Sequence, residues 1–307
     1  MKKIIAVAAA IAVYALTHPA FAASPVVDVD WVKANTGKSG IVFLDVTGNP
    51  NAFMMGHIPG AVFTNYGKDQ WRVKKNVMGK TVTGMLPETA YLEKLIGGLG
   101  IGNNDHVVVV ANGFSAAELG TATRLYWTFK VLGHEEVSIL DGGMQAYFQD
   151  KNNPLEKGMS KPQPKPFKAK FNDKYLATSQ DVEMALKNGT ALLDNRPNDQ
   201  FLGINKSGAV QRAGTLPGAL HVPGIWMTKN GGGTLRGASE LKALYKAANA
   251  PTDGPAISFC NTGHWASLGW FINSEILGNK KTRMYDGSMA EWSIDPAHAM
   301  ETKVKLK

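Results

Sequence analysis

Residues 255–277 read Pro255-Ala-Ile-Ser-Phe-Cys260-Asn-Thr-Gly-His-Trp265-Ala-Ser-Leu-Gly-Trp270-Phe-Ile-Asn-Ser-Glu-Ile-Leu277. The apolar run Ala256 to Phe259 has the length of a short buried strand, while Leu268, Phe271, Ile272 and Ile276 recur with a helical period. A strand that passes through a brief loop into a helix is the repeating unit of a parallel sheet covered on both faces. Cys260 then lies at the carboxyl edge of that sheet, where doubly wound folds bind ligands. Backbone N–H groups of the loop and the start of the helix favour an anion. A cysteine placed there is expected to have its thiolate, the nucleophilic form, stabilised. Gly263 permits a bend that other residues resist. His264 and Trp265 either wall the pocket, hydrogen-bond a substrate, or merely cover the loop.

Working outward, the chain matches itself. Asp30-Trp-Val-Lys-Ala and Ile41-Val-Phe-Leu-Asp45 in the first half correspond to Ser179-Gln-Asp-Val-Glu-Met-Ala-Leu and Ala191-Leu-Leu-Asp194 in the second. Gly56-His-Ile-Pro-Gly-Ala61 corresponds to Gly214-Thr-Leu-Pro-Gly-Ala219. The strands His106 to Val110 and Ala256 to Phe259 are each followed by a helical pattern. Leu140-Asp-Gly-Gly-Met144 and Tyr285-Asp-Gly-Ser-Met289 each lead to an aromatic residue, Tyr147 and Trp292. Strands alternating with helical stretches predict an α/β fold of two tandem domains, each a parallel sheet flanked by helices. The boundaries expected are 23–152, a linker at 153–170, and 171–307. Pro162, Pro164 and Pro166 among lysines favour an extended, solvated linker.

The 307 residues are 44% hydrophobic, enough for packed cores, and carry a formal net charge of +8. The cations are scattered, with denser stretches only at Lys74-Lys75…Lys80 and from Lys161 to Lys170. That pattern reads as a solvated surface rather than a nucleic-acid site. Residues 1–22, MKKIIAVAAAIAVYALTHPAFA, combine a basic start, an apolar run and an Ala-Phe-Ala site. They read as a cleaved signal peptide, with export to the periplasm as the expectation and an uncleaved anchor as the alternative. The apolar run is short for a span, and no later segment is apolar enough, so no stable membrane insertion is expected after cleavage. Cys260 is the only cysteine. In an oxidising compartment a lone thiol is either buried and inert or useful.

Taken together, the strand-ending Asp45 and Asp194, the paired Gly-x-x-Pro-Gly-Ala segments, Cys260-x-x-Gly263 and the Asp-Gly-Gly and Asp-Gly-Ser turns resemble a tandem rhodanese. This is the thiosulfate and 3-mercaptopyruvate sulfurtransferase family. The resemblance implies a silent N-terminal domain, where Val110 runs into Ala111-Asn112 with no cysteine, and an active C-terminal one. It implies double displacement. The Cys260 thiolate takes the outer sulfur of a small anionic donor such as thiosulfate, and the persulfide passes it to cyanide, a small thiol or a protein thiol. Amides from Asn261 through Thr262, Gly263 and His264 to Trp265 would stabilise the outer sulfur. Arg196 matches a family arginine that binds the donor's anionic end, against the alternative of a surface arginine in the turn before Pro197. Arg212 and Lys206 are weaker candidates. No cofactor is implied.

The loop departs from both familiar types. Basic residues after the cysteine accompany thiosulfate preference, and Gly-Ser-Gly-Val-Thr accompanies mercaptopyruvate preference; here it reads Asn-Thr-Gly-His-Trp. A mercaptopyruvate sulfurtransferase is one alternative, and a non-catalytic periplasmic sulfur carrier or sulfur-oxyanion binding protein is another. A Cys-x5-Arg phosphatase is disfavoured because Ala266 stands where the phosphoryl clamp is needed. The seven histidines have no ligand-like spacing, so no metal site is expected. His57, in the silent half, reads as structural.

Overall fold

A computed structural model describes residues 23–306; the signal-peptide reading of residues 1–22 lies outside the described residues. Two five-stranded parallel sheets form the frame. In the first, the spatial order is Val26–Val27, Val137–Leu140, His106–Val110, Ile41–Asp45 and Val62–Phe63. In the second it is Leu176–Ala177, Thr282–Tyr285, Ala256–Phe259, Ala191–Asp194 and Leu220–His221. Element for element the orders are the same, as the internal repeat predicts. Register agrees too: Asp45 stands opposite Val110, and Asp194 opposite Phe259. The central strands are buried along nearly their whole length, which explains why they read as continuous apolar runs rather than alternating ones.

One insertion breaks the symmetry. After Trp71 the first half adds an antiparallel hairpin, Val73–Val77 with Lys80–Met85. Its turn passes through Met78 and Gly79, both at positive φ, the backbone that a two-residue hairpin loop requires. Lys74 and Lys80 of the dense basic stretch stand exposed on it.

The halves do not behave as beads on a string. The helix Ala116–Val131 has thirteen of its sixteen residues buried, because the first sheet covers one side and the helix His264–Trp270 covers another. A helix buried all round needs no polar face. One hydrophobic core runs from Leu44 and Val109 through Trp127 and Phe129 to Trp270 and Phe271. Polar side chains bridge this contact. Arg124 meets Asp286 at 2.5 Å, the Thr123 hydroxyl meets Ser267 at 3.0 Å, and the Tyr126 hydroxyl donates to Glu275 at 3.0 Å.

The 153–170 segment is extended and largely exposed, with only Asn153 and Phe167 buried, yet it is tied down along its length. His57 and Glu156 exchange both backbone hydrogen bonds, Lys165 N–H donates to Gly97 and Lys170 N–H to Leu132. Phe167 is buried, edge-on to Phe129. Backbone pairing and one aromatic anchor strap the segment to the first domain. No helix among the described residues is long and apolar enough to cross a membrane.

Candidate active site

Cys260 follows the last residue of the central strand Ala256–Phe259 and is almost wholly buried, with 1% exposure. Its own N–H donates to Ser288 Oγ at 3.1 Å, and Ser288 in turn donates to the Tyr285 carbonyl. Met289 and Ala290 donate back to the carbonyls of Cys260 and Asn261. The Asp-Gly-Ser turn therefore clamps the base of the loop. In the first half Met144 and Gln145 make the same bonds to Ala111 and Asn112. Ala111 thus occupies the place of Cys260, and the first domain has no nucleophile at its sheet edge.

Asn261, Thr262 and Gly263 donate their backbone N–H groups to no protein acceptor among the described residues. Gly263 reverses the chain at φ +73°, where a Cβ would stand 2.3 Å from Arg124 Nη1 and 2.9 Å from the Asp286 carbonyl oxygen. Glycine is needed both for the backbone and for the space. The loop is held from outside by the other domain. Arg72 donates to the Thr262 carbonyl at 2.8 Å and Arg124 to the Gly263 carbonyl at 3.2 Å. Asp286 receives Arg124 and the Leu86 N–H.

The cleft in front of Cys260 has a volume of about 510 Å³. Asn261, Thr262, His264 and Trp265 line it together with Ser207. Tyr66, Arg72, Ala117, Glu118 and Thr121 close it from the first domain. Gly263 lies behind the lining, as the bend that sets it.

His264 is a wall. Its Nε2 lies 2.9 Å from the Ala117 carbonyl and its Nδ1 3.4 Å from the Tyr66 hydroxyl. With the Nε2 proton donated to the carbonyl, Nδ1 is left to accept from Tyr66. Burial pushes the Tyr66 phenol up, so it keeps its proton. Burial first, and the Arg72 guanidinium next, push His264 down to about 4, so the ring is neutral at pH 7. Gly120 makes room for it, since a Cβ there would stand 2.7 Å from Nε2. Trp265 packs against Gly224, whose absent Cβ would stand 2.1 Å from the ring.

Arg196 corrects the expectation that it binds the donor. It is 1% exposed, its Nε and Nη2 are engaged by the Asp194 carboxylate, and Nη2 also donates to the Gly214 carbonyl. It does not line the cleft. The Asp-x-Arg spacing makes the pair local, and Thr215 completes it by donating to Asp194 at 2.7 Å. Arg212 is likewise spent on the carbonyls of Ser293, Asp295 and His298. His57 stacks on Phe53 at 3.7 Å in the first domain. Sequence reading missed Tyr66, Arg72, Glu118 and Ser207. Glu118 sits in a Ser115-x-x-Glu118 capping box, which marks a helix start and not a cleft wall; for Arg72 only the hairpin insertion that follows it, absent from the second half, set that stretch apart.

The chain matches the family model of the rhodanese-like domain twice, over residues 28–150 and 178–295. A protein of Saccharopolyspora erythraea, named provisionally as a thiosulfate sulfurtransferase, is 32% identical over 87% of this chain and 92% of its own length. A protein named sulfur carrier protein TtuD, from Thermus thermophilus, is 28% identical over 87% and 92%. Among solved structures, SseA of Escherichia coli, a 3-mercaptopyruvate sulfotransferase with the rhodanese fold, superposes with a TM-score of 0.73 at 26% identity, covering 87% of this chain and 99% of that one.

Proposed function

Since this chain belongs to the rhodanese-like family, we propose that it is a sulfurtransferase that carries sulfane sulfur as a persulfide on Cys260. One observation carries the reading: the only cysteine lines a cleft at a sheet edge beside three backbone N–H groups that find no acceptor among the described residues. The Cys260 thiolate attacks the outer sulfur of the donor. The bond between that sulfur and the rest of the donor breaks, and the leaving group departs with the electron pair. The terminal sulfur of the persulfide bears the negative charge, and the N–H groups of Asn261, Thr262 and Gly263 face it as fixed donors. An acceptor thiolate or cyanide then attacks that sulfur and returns Cys260 as thiolate, dividing one transfer into two easier steps. His264, with both ring nitrogens engaged by the protein, shapes the cleft and moves no proton.

A second reading, a sulfur carrier that loads Cys260 and hands the sulfur to a partner protein without fast turnover, is favoured by the likeness to the named carrier protein. The same experiment separates the two. Donor treatment adds one sulfur atom to Cys260 by intact mass, and cyanide removes it with thiocyanate formed. Turnover through many cycles supports the enzyme, and loading without turnover supports the carrier. Cys260→Ser loses the mass shift and at least about 10³-fold in transfer rate. Full transfer by Cys260→Ser would refute both.

A further inference from the structure

Three carbonyls decide where the three loop donors point. In a trans peptide the C=O of one residue and the N–H of the next face opposite ways, and among the described residues all peptides are trans. Holding the carbonyls of Cys260, Asn261 and Thr262 therefore turns the N–H groups of Asn261, Thr262 and Gly263 away from the holders. Met289 and Ala290 hold the first two from their own domain. The third is held from the other domain, by Arg72 Nη2 at 2.8 Å. The silent half supplies the comparison. There Met144 and Gln145 hold Ala111 and Asn112, and the third carbonyl, Gly113, accepts the backbone N–H of Gly233 at 3.1 Å. A neutral donor is thus enough to hold this carbonyl. The half that carries the nucleophile uses a cation in its place.

That cation keeps its charge. Arg72 donates to three neutral oxygens: the Gly84 carbonyl at 3.1 Å, the Tyr66 hydroxyl at 3.3 Å and the Thr262 carbonyl. Burial pushes the Tyr66 phenol up, so it stays protonated and does not neutralise the guanidinium. Arg72 has no carboxylate partner among the described residues, whereas Arg124, on the Gly263 carbonyl, is paired with Asp286. Arg72 also lines the same cleft as Cys260. Its path to the loop is built. Gly84 has φ +89°, and a Cβ there would collide with Arg72 Nη2 and stand 2.8 Å from the Thr262 carbonyl oxygen. Gly84 lies on the hairpin strand Lys80–Met85, which the second half lacks. The insertion supplies both the carbonyl that steers Nε and the gap through which the guanidinium passes.

We infer that, within the sulfurtransfer reading on which this rests, Arg72 is a positioning residue for the Cys260 persulfide: from the domain without a nucleophile it fixes the Gly263 N–H and sets an unpaired positive charge beside the peptide that faces the terminal sulfur. The anion gains in two ways. The charge-assisted bond to the Thr262 carbonyl holds the donor in place before the sulfur arrives. The positive charge acts across a partly dehydrated cleft, where it is screened less than in water. The hairpin following Arg72 is the device that delivers it, so the asymmetry between the halves has a use at the site. Loading by thiosulfate balances as Cys260–S⁻ + ⁻S–SO3⁻ → Cys260–S–S⁻ + SO3²⁻. One S–S bond forms, the S–S bond of the donor breaks, and sulfite leaves with its electron pair. The terminal sulfur is left with the negative charge that the Gly263 N–H meets.

The test follows single-turnover loading of Cys260 in the full chain, by intact mass against time, over a range of thiosulfate concentrations. Arg72→Gln leaves the Gly263 N–H in place but unheld and uncharged behind, so the limiting rate should fall at least about tenfold, short of the roughly 10²–10³ lost when an oxyanion-hole donor is removed outright. The half-saturating concentration should change less than about threefold, because a group acting on the reacting state alters the rate rather than ground-state binding. Arg72→Lys keeps the charge without the fork and should retain at least about a third of the parent rate. Gly84→Ala displaces the guanidinium without removing it and should lose rate as Arg72→Gln does. Urea unfolding of each variant establishes that the proteins compared are folded, and a merely structural role would not separate lysine from glutamine. Equal losses in Arg72→Lys and Arg72→Gln overturn the inference. So does a raised half-saturating concentration at unchanged limiting rate, which would make Arg72 a donor-binding group. A parent that loads while Arg72→Gln loads equally fast removes this inference alone. A parent that takes no sulfur from thiosulfate or polysulfide removes the sulfurtransfer reading, and this inference with it.

Discussion

Replacing Gly263 by alanine tests how the catalytic loop is held. Two costs are separable. The first is local: at φ +73° an alanine sits in left-handed backbone, which costs about 1–2 kcal/mol. The second is steric and belongs to the tertiary structure. The new Cβ would fall 2.3 Å from Arg124 Nη1, and Arg124 has little freedom to retreat. It is 0% exposed, bonded to Asp286 at 2.5 Å and stacked 4.7 Å over Trp127. Moving it breaks a buried ion pair, and a buried charge left without its partner costs roughly 3–5 kcal/mol. The sum, about 4–7 kcal/mol, is large against the stability of most domains. Gly278→Ala supplies the control, because Gly278 has φ +84° with no atom within 4 Å of the added Cβ; it carries the backbone cost alone. Urea unfolding followed by tryptophan fluorescence gives the free-energy loss of each variant. The expected excess of Gly263→Ala over Gly278→Ala is about 3–5 kcal/mol. In dilute buffer, where Gly263→Ala stays folded, loading of Cys260 should slow by about a hundredfold, since a shift of the loop N–H groups by about 1 Å misplaces the donors. A difference between the two variants below about 0.5 kcal/mol would refute the clamp.

Arg196→Met tests the reassignment of that arginine. It leaves Asp194 buried without its counter-ion, so it should cost roughly 3–5 kcal/mol in urea unfolding, while the KM for the donor changes less than about threefold in protein that remains folded. A raised KM at unchanged stability would restore donor binding to Arg196. For His264 the sign follows from its depressed value. The folded protein holds His264 neutral down to about pH 4, whereas the unfolded chain protonates it near 6.5. Unfolding takes up a proton between those limits, so the contribution is fully present above pH 6.5 and is lost as pH falls towards 4. His106 and His134, which burial also pushes down, act in the same direction and are present in both proteins compared. The parent should therefore lose more stability than His264→Gln between pH 6.5 and 4, and parallel curves would sink the assignment.

What the sequence by itself determined is local and periodic. The strands Ile41–Asp45, His106–Val110, Ala191–Asp194 and Ala256–Phe259 could be read from contiguous apolar runs, because central parallel strands are buried on both faces. The duplication could be read because each half must repeat the same turns to build the same sheet. The position of Cys260 at a strand end follows from these two facts alone. The occupant of each site partner was decided only by tertiary structure. Arg196 looked free to meet a donor, but the depth of the second sheet's edge buries it and gives its charge to Asp194. Arg72 drew no notice in the sequence, lying just before Lys74-Lys75…Lys80, yet it reaches the Thr262 carbonyl 190 residues away. Ala117 and Glu118, readable only as the start of a helix, become the far wall of the cleft because the helix Ala116–Val131 docks on His264–Trp270. Periodicity along the chain records which face of an element is buried. It does not record which buried faces meet. That depends on how two sheets fill space against a shared helix, and here the shared helix turns a silent domain into half of the site.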